Sequence, residues 1–303
     1  MNTEQVAGKN AARKQTQFSK KLWYLLPIII LSGLLIFLLY SYQDVFNVEK
    51  LKNSLNYDFL IFLGIGIFAQ LVDGTLGMGY GATSTSFLLA FGVNPVTSSM
   101  AVHVAEMFTT GASALSHYKF KNISKSLVKN LIIPGVIGSA VGAYLLSDVI
   151  DEKLIKPYIA IYMIFLAVII IIKGLSKKRI NKATNKKQLG FLAIFGGFMD
   201  AVGGGGWGPI VTSTLVGRGG NPRYIIGSVN TAEFAISFAS GITFILFGGI
   251  SGWRVIAGLI IGGVIAAPFG AYFLNKIPRK PMTVLIGLLL IFLSIRTLVK
   301  LYP

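Results

Sequence analysis

The sequence predicts an all-α polytopic membrane protein with about seven spanning helices and two re-entrant helical hairpins. Three observations support this prediction: a strongly apolar composition, long apolar runs separated by basic loops, and an internal repeat. Of the 303 residues, 53% are hydrophobic and only 13% are charged, which is about half the charged fraction of an average soluble protein. A soluble chain of this length would need more polar surface, so the composition favours burial in lipid.

Several apolar runs are long enough to cross a bilayer, whose hydrocarbon core of about 30 Å needs a helix of about 20 residues. Examples are Leu22 to Tyr40, Ile155 to Ile172 and Val284 to Leu298. The first run follows a long basic stretch, and no small-x-small cleavage pattern comes after it. We therefore expect a retained spanning helix rather than a signal peptide.

The basic residues lie almost entirely between the apolar runs and predict how the chain is oriented. The net charge is +17; in a soluble protein it would suggest nucleic acid, but in a membrane protein positive loops stay in the cytoplasm. The basic tail 1–21 and the basic linker 174–187 are therefore expected inside, and the acidic loop around Asp148 is expected outside. We predict a multi-pass protein of the cell membrane with a cytoplasmic N-terminus, an outside C-terminus and no nucleic-acid partner.

These assignments divide the chain into five parts. They are a basic cytoplasmic tail (1–21), an extra N-terminal transmembrane helix (22–42), a first repeat (59–173), a cytoplasmic linker (174–187) and a second, inverted repeat (188–300). Full spans are predicted at 22–42, 96–117, 127–147, 155–173, 224–247, 254–274 and 282–300, and hairpins at 59–92 and 188–217.

The two repeats are recognised by rare residue types that recur at a constant separation along the chain. The matched pairs include Asp73 and Asp200, Gly77 and Gly204, Gly79 and Gly206, Tyr80 and Trp207, Gly81 and Gly208, His103 and Asn230, and Glu106 and Glu233. Because the charge pattern starts the first copy outside and the second copy inside, the repeat is inverted, a common plan of secondary transporters. Two oppositely oriented copies can exchange conformations, so we expect an inverted-repeat transporter.

Each repeat opens with an apolar segment broken by glycines, and this break is the expected binding site. Neither hairpin arm is expected to reach about 20 residues, so both hairpins are expected to be re-entrant. Glycine-rich backbone at membrane depth must be buried in protein or line a wet cavity. The helix N-terminus that follows, marked in the second repeat by Pro209, favours anions. The alternative is that the glycines only allow close helix packing. The expected substrate-binding residues are Gly77, Gly79, Tyr80, Gly81, Thr83, Ser84, Thr85, His103, Gly204, Gly206, Trp207, Gly208, Thr212, Ser213 and Asn230.

Four acidic residues lie within apolar segments, where charge is costly and usually marks function. They form two repeat-related pairs, Asp73 with Asp200 and Glu106 with Glu233, and we expect them to act in proton coupling or gating. Two structural alternatives stay open: the aspartates cap the half-helices, and the glutamates brace the hairpin tips. His103, one turn from Glu106, is a residue type that titrates near neutral pH.

The chain contains no cysteine. Thiol catalysis, disulfides, iron–sulfur clusters and cysteine-ligated zinc are therefore excluded, and its two histidines are too few for a histidine-rich metal site. No cofactor, no metal and no catalytic residue is expected.

The duplicated hairpins resemble those of the sulfite exporter TauE/SafE family. The resemblance rests on Gln70 to Gly81, on Gly203 to Pro209, and on the turns Gly92 to Pro95 and Gly219 to Pro222. It covers about residues 55–300. It implies export of small sulfur-containing anions such as sulfite, sulfoacetate or other organosulfonates. The expected partners are this anion and membrane lipids, while proton coupling and a homodimer are open alternatives.

Other functions also stay open at this point. One is a cation- or proton-coupled transporter of another small organic anion, or of a cation itself, with the buried carboxylates as ligands. Another is a membrane-embedded lipid-phosphate hydrolase, which would need cations beside the developing charge. Since no Arg or Lys lies between Asp58 and His117 or between Gln188 and Val216, the sequence favours a transporter over an enzyme.

Overall fold

The computed structural model describes residues 57–176, 184–273 and 279–302, all within one compact unit, Asn56–Pro303. The predicted tail 1–21, the predicted helix 22–42 and positions 177–183 of the predicted linker lie outside the described residues.

The described residues form helices and no β-strand, so the all-α prediction is confirmed for this part of the chain. Two π-helical turns, Leu145–Val149 and Gly208–Thr212, interrupt the series of α-helices. The α-helices are α1 (Tyr57–Leu76), α2 (Tyr80–Ala90), α3 (Pro95–Lys119), α4 (Lys125–Tyr144), α5 (Glu152–Leu175), α6 (Lys186–Gly203), α7 (Ser213–Gly217), α8 (Pro222–Gly248), α9 (Trp253–Phe273) and α10 (Arg279–Leu301).

In the described part of the chain, 5 helices are long and apolar enough to cross a membrane. They are α1, α4 with its π-helical turn, α5, α8 and α10. The chain is therefore a polytopic membrane protein. The predicted spans 96–117 and 254–274 are helical as α3 and α9, but α3 is less apolar because it carries His103, Glu106 and many hydroxyl side chains.

The helix starts follow local capping rules. Asn94 and Asn221 precede a proline, which suits the first helical position because it lacks an N–H to satisfy. The Asn94 Oδ1 atom accepts a hydrogen bond from the Thr97 N–H at 2.7 Å. The Asn221 Oδ1 atom accepts one from the Arg223 N–H at 3.1 Å. Each asparagine thus stabilises the start of the helix, α3 or α8, that leaves a hairpin.

The first hairpin differs from the prediction in the length of one arm. Helix α1 has 20 residues, so the expectation that no arm reaches about 20 residues is wrong for this arm. The reason is local: the helix continues through Asp73 and Gly74, and the Thr75 hydroxyl donates to the Val72 carbonyl at 2.9 Å. The helix ends before Gly77, whose φ of +73° suits glycine. The return arms, α2 with 11 residues and the segment Gly208–Gly217, are short.

Helices of different repeats pack closely where glycines remove side chains. Helix α1 packs on α9, and a Cβ at Gly66 would lie 2.8 Å from the Leu259 carbonyl oxygen. Helix α6 packs on α4 in the same manner, and a Cβ at Gly142 would lie 2.7 Å from the Phe198 carbonyl oxygen. Such close approach is typical of small residues in membrane helices. Helix α3 also packs on α8, and α5 on α10, so the two hairpin tips are held between these pairs.

Candidate functional site

The two glycine tips lie directly against each other. A Cβ at Gly81 would lie 2.8 Å from the Gly205 Cα atom and 3.1 Å from the Gly204 carbonyl oxygen. A Cβ at Gly205 would overlap the backbone of Ala82. The Thr85 hydroxyl, on α2, donates a hydrogen bond to the Gly204 carbonyl. Close packing therefore explains part of the glycine pattern, and Gly81, Gly204 and Thr85 form the junction of the tips.

An aspartate holds each tip at the same position. The Asp200 Oδ1 atom accepts a hydrogen bond from the Trp207 backbone N–H at 2.9 Å. The Asp73 carboxylate accepts one from the backbone N–H of Tyr80. Both bonds link an aspartate to the residue seven positions later, so the two tips close in the same way.

The aromatic residues of the tips are buried anchors. Tyr80 is 4% exposed and its hydroxyl donates to the Leu259 carbonyl at 3.2 Å. Trp207 is fully buried and its Nε1–H donates to the Val229 carbonyl at 3.2 Å. The Tyr80 hydroxyl is thus bonded to α9 and the Trp207 Nε1–H to α8. Neither side chain has a free donor for a ligand at the junction.

At the second tip, three ionisable side chains form one buried cluster. His103, Glu106 and Asp200 are 0%, 3% and 1% exposed, and we call this set the second-tip half-site. The His103 Nε2 atom lies 3.2 Å from Asp200 Oδ2. The Ser237 hydroxyl donates to Glu106 Oε2 at 3.3 Å. The cluster therefore joins α3, α6 and α8.

The protonation of the His103–Asp200 pair follows from its partners. The His103 Nδ1 atom lies 2.7 Å from the Ser99 carbonyl oxygen, which can only accept, so Nδ1 carries a proton. A close contact between Nε2 and the Asp200 carboxylate is favourable when a second proton lies between them. The pair is then neutral overall, which suits its burial.

The repeat-related set, which we call the first-tip half-site, consists of Asp73, Asn230 and Glu233. All three are partly accessible. The Asn230 Nδ2 atom donates to the Ser113 hydroxyl at 3.0 Å instead of contacting an aspartate. Glu233 interacts electrostatically with Glu106, Asp73 and Asp200, so the four predicted acidic residues share one region. Asn230 and His103 belong to different half-sites.

The predicted hydroxyl donors divide into engaged and free groups. Within the described residues, the buried hydroxyls of Thr83, Ser84 and Thr212 have no hydrogen-bond partner. The Ser213 hydroxyl donates to the Pro209 carbonyl. Thr83, Ser84 and Thr212 are therefore the predicted donors that a ligand could still use.

The remaining predicted glycines shape the two turns. Gly79 adopts a φ of +117° at the start of α2, a conformation that favours glycine. A Cβ at Gly208 would lie 2.9 Å from the Cβ atom of Met78. A Cβ at Gly77 would be 3.6 Å from the Ile226 side chain of α8, and Gly206 packs against Tyr162.

Two lysines that were not predicted as site residues contact the short arms. The Lys300 ammonium donates to the Ala90 carbonyl at the end of α2, at 3.1 Å. The Lys173 ammonium donates to the hydroxyls of Ser213 and Thr214 at 2.7 and 3.2 Å. The Lys300 cation lies at a helix C-terminus and complements its dipole, whereas Lys173 binds hydroxyls within the segment Gly208–Gly217. The two lysines have the same separation in the sequence as the two tip aspartates, a signal that the repeat alignment contained.

The second-tip half-site also offers ligands for a metal ion. One donor atom from each of His103, Glu106 and Asp200 lies within 4.8 Å of the others. The sequence predicts no metal ion at these residues. In this structure hydrogen bonds within the protein already engage these side chains.

Comparisons with known proteins identify relatives. The family model described as Sulfite exporter TauE/SafE matches residues 62–297. The chain is 42% identical over 251 residues to the "Probable membrane transporter protein YtnM" of Bacillus subtilis (strain 168), covering 80% of this chain and 83% of the relative. It is 23% identical over 234 residues to the "Probable membrane transporter protein YjnA" of the same organism, covering 72% and 91%. No solved structure matches the chain.

Proposed function

We propose, on the premise that this chain belongs to the sulfite exporter TauE/SafE family, that it is a secondary transporter that exports small sulfur-containing anions such as sulfite or organosulfonates. The names of its relatives support a membrane transporter rather than an enzyme. The observation that carries the proposal is the junction of the two tips, where two helix starts meet and the buried hydroxyls of Thr83 and Thr212 are free.

Backbone dipoles and hydroxyls would hold the anion in this proposal. The Tyr80 and Trp207 N–H groups already bond to the tip aspartates, so the N–H groups that follow them in each first helical turn would favour the negative charge. The Lys300 ammonium lies at the far end of α2, whereas the Lys173 ammonium contacts Ser213, the residue after Thr212. A weakly held anion suits transport, because a site that carries a substrate must also release it. An interior-negative potential favours anion efflux by about 2.3 kcal/mol per charge per 100 mV.

The topology we propose has seven spans and two re-entrant hairpins, with the N-terminus in the cytoplasm and the C-terminus outside. A return arm of 11 residues is about 16 Å long, about half of the hydrocarbon core. Each short arm would therefore run between the middle of the membrane and one surface. The two repeats, 59–173 and 188–300, would have opposite orientations, and rocking of one against the other would expose the tips to alternate sides.

We propose that the four acidic residues of the two half-sites couple transport to protons. Asp73, Glu106, Asp200 and Glu233 share one region, and all four cannot be charged there at low cost. A proton taken up by this group would change how strongly an anion binds nearby. The metal-ligand arrangement of His103, Glu106 and Asp200 favours a second candidate, in which a cation replaces the proton as the coupling ion.

The test is the thermal stability of detergent-purified protein with sulfite, sulfate, taurine, sulfoacetate, phosphate, carboxylates and Na⁺. A ligand at 100 times its Kd stabilises by about 2.7 kcal/mol, which gives a measurable shift in Tm. We expect sulfite or a sulfonate to raise the Tm, and Thr83→Val to reduce that rise. The matched control is Thr243→Val, because the Thr243 hydroxyl bonds to its own helix at Ala239. A rise with cations alone would contradict the sulfonate assignment and support the cation candidate.

A further inference from the structure

Tyr162, on α5, places a free hydroxyl against the second tip. Within the described part of the chain, its buried hydroxyl oxygen has no hydrogen-bond partner. Its ring lies over Gly203, and its hydroxyl lies over Gly206. It also interacts electrostatically with Asp200. A polar group from a helix far away in the sequence is thus directed at the residues that form this tip.

The glycines of the tip are matched to this tyrosine. A Cβ at Gly203 would overlap the Tyr162 ring, and a Cβ at Gly206 would overlap its hydroxyl. Gly206 immediately precedes Trp207, whose N–H bonds to Asp200. The hydroxyl therefore lies beside the last turn of backbone before the short arm begins.

A buried hydroxyl without a partner is destabilising, and such a group calls for an explanation. Asp200, which interacts with Tyr162, accepts from Trp207 and faces His103 instead. Since no described residue accepts from the Tyr162 hydroxyl, a bound ligand can supply the acceptor. Thr212, on the same tip, has a buried hydroxyl in the same situation, so two unused donors belong to one tip.

We propose that Tyr162 donates its hydroxyl hydrogen to an oxygen of the transported anion at the second tip. This inference rests on the proposed function and identifies a binding residue that sequence analysis did not name. The chemistry it fits is an oxyanion, such as a sulfite or sulfonate group, which brings several acceptor oxygens. The residue acts on one side of the site, because the repeat-related helix α10 contains no tyrosine.

The experiment compares Tyr162→Phe with Tyr158→Phe in detergent-purified protein. Tyr158 lies one turn earlier on α5 and is 67% exposed, so it controls for the loss of a tyrosine hydroxyl from the same helix. Phenylalanine keeps the ring over Gly203 and removes only the hydroxyl. The apparent Kd for sulfite and for taurine is measured from the concentration dependence of Tm.

We expect the apparent Kd to increase about tenfold or more in Tyr162→Phe, with an unliganded Tm at or above that of the wild type, and no change in Tyr158→Phe. An unchanged Kd in Tyr162→Phe, while the wild type still responds to the anion, overturns this inference and leaves the proposed function standing. An unliganded Tm well below wild type also overturns it, because the hydroxyl would then have a structural partner. If no anion shifts the wild-type Tm, the proposed function fails as well.

Discussion

The two half-sites have related sequences but different environments. The second-tip half-site of His103, Glu106 and Asp200 is closed, and its members bond to one another and to Ser237. In the first-tip half-site, Asp73, Asn230 and Glu233 are partly accessible, and Asn230 bonds to Ser113 instead.

The difference in accessibility is what the proposed alternating-access mechanism expects of one conformation. Two equivalent tips would have no reason to differ in accessibility in a symmetric structure. Because position 230 is asparagine where position 103 is histidine, the first tip lacks the kind of partner that closes the second tip. Opening the second tip would break the His103–Asp200 contact, whereas the first tip has no such contact to break.

The largest expected loss of stability comes from replacing a glycine at the second tip, compared with a glycine at the first tip. In Gly205→Ala the new Cβ would overlap the backbone of Ala82, which cannot move cheaply, so we expect a loss of about 3 kcal/mol of stability. In Gly77→Ala the new Cβ meets only the Ile226 side chain at 3.6 Å. Its cost is then about 1–2 kcal/mol, from the left-handed backbone. Thermal unfolding of both purified variants measures the difference.

The control for this pair is Gly64→Ala, because nothing lies within 4 Å of a Cβ at Gly64 in helix α1. That variant should match the wild type or exceed it by about 0.5–1 kcal/mol. Equal losses in Gly205→Ala and Gly77→Ala would mean that the tips are not packed as described.

The second prediction compares the two aspartates. Asp200→Asn removes the carboxylate partner of His103 inside a closed cluster, so we expect a loss of about 3 kcal/mol. Asp73→Asn should cost about 1 kcal/mol, because Asp73 is partly accessible and an amide oxygen can still accept from Tyr80. Thermal unfolding at one pH is the measurement. A larger loss in Asp73→Asn would reverse the assignment of closed and open half-sites.

The third prediction compares an engaged hydroxyl with a free one. Thr85→Val removes the bond to the Gly204 carbonyl, so we expect a loss of about 1–2 kcal/mol in the unliganded protein. Thr212→Val removes a hydroxyl without a partner, so the unliganded protein should keep its stability and lose part of its Tm rise with sulfite. Matching unliganded losses in the two variants would show that Thr212 has a structural bond.

The smallest loss of stability is expected where two lysines contact the short arms. Lys300→Met removes a cation from the end of α2, and Lys173→Met removes the donor to the Ser213 and Thr214 hydroxyls. Each change should cost about 0.5 kcal/mol. The two losses should be similar, because the lysines occupy related positions in the two repeats. Chemical unfolding of the purified variants can resolve such a difference, and a loss several times larger in one variant than in the other would contradict the equivalence.

The sequence predicted the parts of the molecule that depend on local pattern. The span predicted at 96–117 is helical as Pro95–Lys119, because the Asn94-Pro95 start and a basic loop define its ends, but this helix is not among the 5 described helices that are apolar enough to cross a membrane. The contacts of Asp73 and Asp200 with the backbone of their own tips also follow from short-range spacing, because each aspartate bonds to the residue seven positions later. The length of α1 was missed, because glycine and aspartate inside a helix suggest a break when tertiary contacts are unknown.

Other features of the site could not be predicted because they depend on packing between distant segments. Tyr162 lies on α5, the helix that precedes the second hairpin, and it packs on the tip of that hairpin. In the sequence it looks like any lipid-facing aromatic residue of an apolar helix. His103 and Asn230 align in the sequence, but their different partners, Asp200 and Ser113, follow from how α3 and α8 pack on the tips.

The most direct test is sulfite and taurine flux in liposomes that contain the purified protein, with Thr212→Val and the control Thr243→Val. We predict that the wild type and Thr243→Val carry at least one of these anions, and that Thr212→Val carries it about tenfold more slowly. No flux of either anion by the wild type, or equal flux in Thr212→Val, would contradict an anion site at the junction of the tips.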